Sequence, residues 1–433
     1  MRRLIAGLLA LPLAATCFAG ATPASAASPT SGPCVGTTGP VCHYWYGTVE
    51  RDGSGHAFVS DGDTLDVDVD GDGTATPVRI RMTGINTQEL STYSHTAANR
   101  LEQLVNLTGG RVRLSAQDPT SHSGDRMRRV VSVETGGVWR DLNRTLLDEG
   151  HALFMSNGTE TAFNQSYGLA AQTTAATGRQ IWDTDFCRSG PAQTTPIRIW
   201  VNSDADGDDG RNVNGEWIRI HNGGTTALSL GGWQVRDSGP IRYTLPATAA
   251  VRAGATITVH VGRGTNTATN YYWGLAAPVF ENVTGAPTWF GDGGYLFDRD
   301  GDLRARFHYP CLVACADPLA GKVAVTKVVS DAPGSDATNP NGEEVQLRNV
   351  GTRTVQLEGY QLWNAPYGYA FGPNSRLAPG ETVRVRVGRG TETRLSKFWG
   401  KSAGILDNGG ERVVLQTFGM VRISCKAWGT VRC

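Results

Sequence analysis

Between Phe58 and Glu89 the chain reads FVSDGDTLDVDVDGDGTATPVRIRMTGINTQE. Two alternating segments flank an Asp/Gly-rich turn, a pattern that predicts a β-hairpin or meander. Asp61-Gly62-Asp63-Thr64 opens the first strand, Arg81 sits on the second, and Asn86, Thr87 and Glu89 follow at its far end. Antiparallel strands can bring the start of one beside the end of the other. Asp63, Asn86, Thr87 and Glu89 then converge on a small oxygen-rich site with Arg81 next to it. Such a set can hold a hard cation, activate water and clamp a phosphate. The Asp66–Gly73 run reads as a solvated strand face and turn, although its composition also suits calcium. His56, His95, His122 and His151 lack ligand-like spacing, and the chain has no H-E-x-x-H motif, zinc cysteine cluster or P-loop.

The elements that must position these residues follow from periodicity. Tyr44–Thr48 and His56–Ser60 alternate as strands, and residues 27–43 form a Ser/Gly/Pro/Thr-rich leader that reads as loop. In the stretch Ser91–Val105, Ala97, Ala98, Leu101, Leu104 and Val105 recur at helical spacing, and Gly109-Gly110 stops the run. Arg111–Ser115 is a strand. A loop and strand with Arg126, Arg128 and Arg129 come next. The spacing then predicts a short helix over Trp139–Glu149, with Leu142, Leu146 and Leu147 inward and Gly150 as its cap. A longer helix spans Thr161–Gly178, and Ile181-Trp182 follows as a core plug. About five strands and three helices fit a small barrel with helices packed on it.

Residues 44–187 resemble the staphylococcal nuclease (thermonuclease) family. The matching pieces come in order: a DGDT strand, an R-x-x-G-I-x-x-x-E strand end, a helix, an Arg-rich loop and strand, and a last helix followed by Trp182. The resemblance implies an OB-type five-stranded barrel with three helices. It makes Asp63 a metal-binding carboxylate, Arg81 a phosphate clamp and Glu89 the catalytic glutamate. Asn86 stands where the family has its second metal-binding Asp, and Thr87 matches the residue lending a backbone carbonyl to one calcium ion. Asp125-Arg126-Met127-Arg128-Arg129 stands for Asp-Arg-Tyr-Gly-Arg, which makes Arg129 the second active-site arginine, with Arg126 next in preference. The sequence departs from the family at several points. Asn86 removes a negative charge, Gln88 replaces a proline, Met127-Arg128 replaces Tyr-Gly, and His151–Met155 lacks the paired stacking tyrosines, with Phe154 left as a partial substitute. By resemblance, water attacks with help from Glu89 while two arginines hold the phosphate oxygens, leaving 3′-phosphate and 5′-hydroxyl ends.

Composition bounds the setting. The chain of 433 residues opens MRRLIAGLLALPLAATCFAGATPASA, a basic start, an apolar run and a small-residue site, which predicts a signal peptide over 1–26 and a secreted, extracellular protein. No later apolar run is long enough to span a membrane. Seven of the 8 cysteines lie beyond this segment. Close spacing suggests the loops 34–42, 311–315 and 425–433 with Cys187 left over, a 42–187 bridge being the alternative. Net charge is zero, yet residues 44–187 hold 12 Arg, no Lys and 19 acidic residues, while 316–433 hold 15 basic and 10 acidic. Non-specific nucleic-acid grip usually needs a basic domain. A nucleic-acid role for the first domain therefore rests on its local arginines and a cation.

Beyond a short linker at 188–195 the chain repeats itself. Asn214-Gly215-Glu216 pairs with Asn341-Gly342-Glu343, Gly232-Trp233 with Gly359-Tyr360, Val261–Thr265 with Val387–Thr391, and Trp273-Gly274 with Trp399-Gly400, at offsets of 126–127 residues. Such a period means duplicated domains, 196–315 and 316–433. Short alternating segments between turns predict β-sandwiches. With their N-G-E strand, N-x-G stretch and a P-G-E-T motif from Pro379, both copies resemble lamin-tail domains, which are immunoglobulin-like. The acidic turns at Asp204–Asp209 and Asp331–Asp336 read as loop caps. Arg384, Arg386, Arg389 and Arg394 suggest tethering to a polymer or cell surface. The expectation is a secreted, monomeric, calcium-dependent nuclease acting on DNA or RNA. The alternative is an inactive extracellular nucleic-acid-binding or envelope adhesion protein.

Overall fold

The structure is a computed structural model that describes residues 30–34, 40–88, 92–185, 192–286 and 288–433. The predicted signal peptide, Glu89 and Cys187 lie outside the described residues.

Five strands close the first domain into a barrel: Val41–Val49, Thr64–Val69, Val78–Met82, Arg111–Ala116 and Arg126–Thr135. Val41–Val49 pairs with both Arg111–Ala116 and Thr64–Val69, which seals the ring. Val78–Met82 and Arg126–Thr135 run parallel and complete it. Leu65, Val67, Ile80, Met82, Val112, Leu114, Val131 and Val133 are buried in one continuous core. Three helices pack on the barrel: α1 Thr92–Asn106, α2 Leu142–Glu149 and α3 Thr161–Ala175.

Local details depart from the periodic reading. The segment around residues 27–43 is not all loop. Thr30–Pro33 pairs with Val41–Tyr44, and the Cys34–Cys42 disulfide closes that hairpin. The second helix starts at Leu142 rather than Trp139. Val138–Asp141 continues as a strand, and the Asp141 side chain caps the helix by accepting from Arg144 N at 2.9 Å. Gly150 ends the helix at φ 83°, as its position suggested. The Ile181-Trp182 plug fills the junction with the next domain rather than the barrel. Trp182 is buried with Leu153, Ala175 and Ile181 from its own side and Tyr295, Phe297 and Leu303 from the other.

Residues beyond 196 form two β-sandwiches of the same build. The first has sheets ordered Ile197–Asn202, Trp217–Asn222, Thr256–His260, Asn270–Tyr272 and Arg242–Thr244, Gln234–Arg236, Asp292–Phe297, Leu303–Tyr309. The second repeats this order with Val323–Val329, Glu344–Asn349, Thr382–Arg386, Ser396–Phe398 and Tyr367–Ala370, Tyr360–Asn364, Arg412–Thr417, Arg422–Ala427. Each ends its first sheet in a parallel pair, Thr258 beside Asn270 and Arg384 beside Ser396. Disulfides join Cys311 to Cys315 and Cys425 to Cys433, so the described pairs are those suggested by proximity. No described helix is long and apolar enough to cross a membrane.

The repeated motifs are buried polar anchors. Glu216 Oε2 accepts from Val279 N at 2.8 Å, and Glu343 Oε2 accepts from Ile405 N and Leu406 N at 2.9 and 3.0 Å. Asn222 Nδ2 donates to the carbonyls of Thr226 and Val251, as Asn349 Nδ2 does to those of Arg353 and Leu377. A buried loop needs its backbone groups paired, and these side chains pair them from within the core.

Candidate functional site

The turn Asp61–Thr64 is held tightly in place. Gly62 lies so close to α1 that an added Cβ would sit 2.4 Å from Ala97 Cβ and 2.7 Å from Thr87 Cγ2. Gly84, at φ +74° and 2.7 Å from Tyr167 by the same measure, turns the chain into the short strand Ile85–Thr87. That strand pairs with Ala152–Phe154. These two close approaches set the distance between Asp63 and the Asn86-Thr87 pair.

Four predicted residues meet there. Asp63 Oδ1 lies 2.5 Å from Arg81 Nη1. Asp63 Oδ2 accepts from Thr87 N at 2.8 Å and from Thr87 Oγ1 at 3.3 Å. Arg81 Nη2 donates to Asn86 Oδ1 at 3.3 Å. All four side chains are buried: Asp63 is 4% exposed, Arg81 7%, Asn86 3% and Thr87 2%. Burial pushes the Asp63 carboxyl up, and the adjacent Arg81 charge and the Thr87 N–H pull it back down.

Strand register chooses among the arginines. Thr64, Arg81 and Arg128 sit opposite one another across three adjacent strands. Successive side chains alternate between faces, so Arg126 and Arg128 share the face of Arg81 and Arg129 takes the other. Arg126 Nη1 accordingly donates to Thr64 Oγ1 at 3.4 Å. Burial lowers the Arg128 pKa, and the Arg81 charge lowers it further, which puts the two guanidinium groups in one field. Arg129 points away. Its guanidinium stacks on the Trp45 ring at 4.4 Å and donates to the carbonyls of Arg128 and Pro119 at 2.7 and 3.0 Å. Arg129 is therefore not beside Arg81 as expected; in the register Arg128 lies opposite Arg81. The alternation of 126 and 128 against 127 and 129 was the signal that could have found it.

Phe154 is also corrected. It is buried, pairs with Ile85 in the short sheet and packs under Gly168 of α3, so it offers no open face to a base.

One participant comes from the first sandwich. Asn86 Nδ2 donates to the carbonyl of Ser238 at 2.6 Å, in the turn between Gln234–Arg236 and Arg242–Thr244. Arg236 Nη2 donates to the same oxygen at 3.1 Å. An aspartate at position 86 would set a carboxylate against that carbonyl, whereas an amide satisfies it. A cleft of about 240 Å³ runs alongside, lined by Arg128, Met155 and Asn157 of the barrel and by Asp237, Glu281 and Asp292 of the sandwich.

A calcium ion takes about six to eight oxygen ligands. Among the described residues Asp63 contacts Arg81, Asp61 lies beside it with Oδ1 accepting from Asp63 N at 3.0 Å, and no group of three or more His, Cys, Asp or Glu suited to a metal occurs. Both Asp63 oxygens and Asn86 Oδ1 already accept from Arg81, Thr64 and Thr87. In this closed, ion-paired arrangement the described residues do not fit calcium. They form a buried guanidinium–carboxylate cluster with two further arginines at its edge.

The sandwiches place the molecule in a class: a barrel domain followed by tandem immunoglobulin-like β-domains with buried Asn and Glu anchors. The lamin tail domain family model matches residues 191–311 and again residues 317–425, more than half of the chain. The chain belongs to the lamin tail domain family. No curated protein matches it.

Proposed function

We propose that the barrel is the catalytic unit of an exported nuclease, related in design to the staphylococcal nuclease family, and that it hydrolyses phosphodiester bonds of DNA or RNA. The observation that carries this reading is the row Thr64, Arg81, Arg128 with Asp63 at its end. Two guanidinium groups on one barrel face can hold the non-bridging oxygens of a phosphate, and each such donor is worth about 3–4 kcal/mol to the transition state. Glu89 follows Thr87 by two residues and is the general base of the proposal. The strand order of the closed five-stranded barrel supports an OB-type assignment. The three disulfides support export.

The test is purified protein on single-stranded DNA, duplex DNA and RNA, with calcium and then with chelator. Cleavage leaving 3′-phosphate and 5′-hydroxyl ends is the expected result, and the chelator arm reads whether the reaction needs the ion that the resemblance implies. Intact polynucleotide across a broad calcium and pH range would remove the nuclease reading.

A second reading, binding without cleavage, draws on Asn86. Its amide is engaged by Ser238, and Arg81 is ion-paired with Asp63. Under that reading the chain retains polynucleotide on a filter and never shortens it. The tandem sandwiches serve as the tether in either case. Arg384 and Arg389 are exposed on the second, although Arg394 is paired with Glu381.

A further inference from the structure

We propose that the Asp237–Gly239 turn of the first sandwich is a displaceable cap over the barrel site, standing where a substrate phosphate must enter. The proposal rests on the nuclease reading for what enters, and on geometry alone for the cap. Ser238 is 1% exposed, and its carbonyl is taken by Asn86 from one domain and Arg236 from the other. Asn86, which it contacts, is buried, as are Asp63 and Arg81 behind it. The cleft alongside, of about 240 Å³, reaches Arg128 and Ser238, and its lining does not include Asp63, Arg81 or Asn86.

Chemistry points the same way. Asp237 and Glu281 line the cleft beside Arg128, while Asp292 is buried there with its carboxyl pushed well above the usual range by burial and by Asp237. Acidic side chains beside a guanidinium occupy the field an anionic substrate needs. The turn can lift without parting the domains, because the two are held elsewhere. Trp182 packs against Tyr295 and His308, and Gln172 exchanges hydrogen bonds of 2.8 Å with Pro310 O and Leu312 N. The turn itself is tied to its own sandwich through Asp292, whose Oδ1 accepts from Ser238 Oγ and Ser238 N. On its far side Pro240 and Ile241 are exposed to solvent.

The experiment uses the full chain with Ser238→Ala, which removes the Oγ donor, or Asp292→Ala, which removes the acceptor; each loosens that tie and leaves the barrel residues in place. Arg81 and Arg128 are labelled with phenylglyoxal and read by peptide mass spectrometry, with thermal unfolding as the check that each variant is folded. Labelling should quicken about fivefold, the factor that one neutral hydrogen bond is worth. Cleavage of a single-stranded DNA oligonucleotide should rise in parallel. Wild-type labelling rates in both folded variants would overturn the cap. Faster labelling with unchanged, measurable cleavage would overturn its gating role. Faster labelling when no form of the protein cleaves anything would leave the cap standing and remove the nuclease reading instead.

Discussion

The two sandwiches share sheet order and buried anchors, and each lays the same hairpin against the domain before it. In the second, the turn at Asn364–Tyr367 meets an acidic loop of the first: Gly207 N donates to Pro366 O at 3.2 Å, and Lys401 Nζ pairs with Asp206. In the first, the turn at Asp237–Gly239 meets Asn86 and the arginine cluster. The scaffold is thus indifferent to chemistry. What differs is the surface beneath the hairpin, a loop in one case and a sealed guanidinium–carboxylate cluster in the other. A duplicated domain can keep one docking mode and acquire a new consequence from its neighbour.

The largest expected effect lies beneath the first turn. Arg81→Ala and Arg128→Ala should each lower the cleavage rate by about 10²–10³, as should Glu89→Gln, while Arg129→Ala keeps the rate and loses stability with its Trp45 contact. Steady-state kinetics on one oligonucleotide with all four purified variants checks this. A full loss in Arg129→Ala with normal Arg128→Ala kinetics would reverse the register assignment and break the comparison.

Anchors should show the sandwiches as equals. Asn222→Ala and Asn349→Ala each strand buried loop carbonyls, at about 1–3 kcal/mol per orphaned group. Denaturant unfolding should give similar losses for the two. A large loss in only one would mean the scaffolds are not equivalent.

A pH dependence should separate them. Burial raises the Glu216 carboxyl to about 8, while Glu343 is raised without so large a shift. A group that keeps its proton in the fold but sheds it when unfolded stabilises the fold at low pH. That contribution is present below the unfolded value near 4.5 and is lost as pH rises toward 8. Melting temperature measured from pH 5 to pH 8 should fall less in Glu216→Gln than in the wild type. Identical slopes would place the Glu216 carboxylate charged in the fold.

Asn86→Asp removes the donor to Ser238 and should quicken Arg81 labelling about fivefold or more, and the added carboxylate should tighten calcium in a metal titration. Lys401→Ala, at the second docking point, should cost about 1 kcal/mol or less and leave both labelling and cleavage unchanged.

How much of this was legible in the chain varies with range. Strand alternation located the barrel strands, and apolar spacing located the first two helices, because both depend on neighbours within a few residues. The Trp139 helix start was missed. Its first turn is recruited as a strand by the end of Arg126–Thr135, a tertiary override of local pattern. The Arg128 assignment was missed because motif spacing counts residues, whereas a parallel strand pair counts faces. Trp182 read correctly as a buried core plug, but the sequence did not say that the core is shared with the next domain, since hydrophobicity states that a side chain is covered but not by which domain.

From its own residues the chain determined that Asp63 and Arg81 would meet, since two consecutive strands joined by a short connection have few other registers, and it determined the duplication, which is written as repeated letters. Only the tertiary structure decided that Arg128 rather than Arg129 joins them, and that a carbonyl from 152 residues farther along closes over Asn86. Contacts between domains follow from shape and burial across the whole molecule, and no local pattern of side chains encodes them.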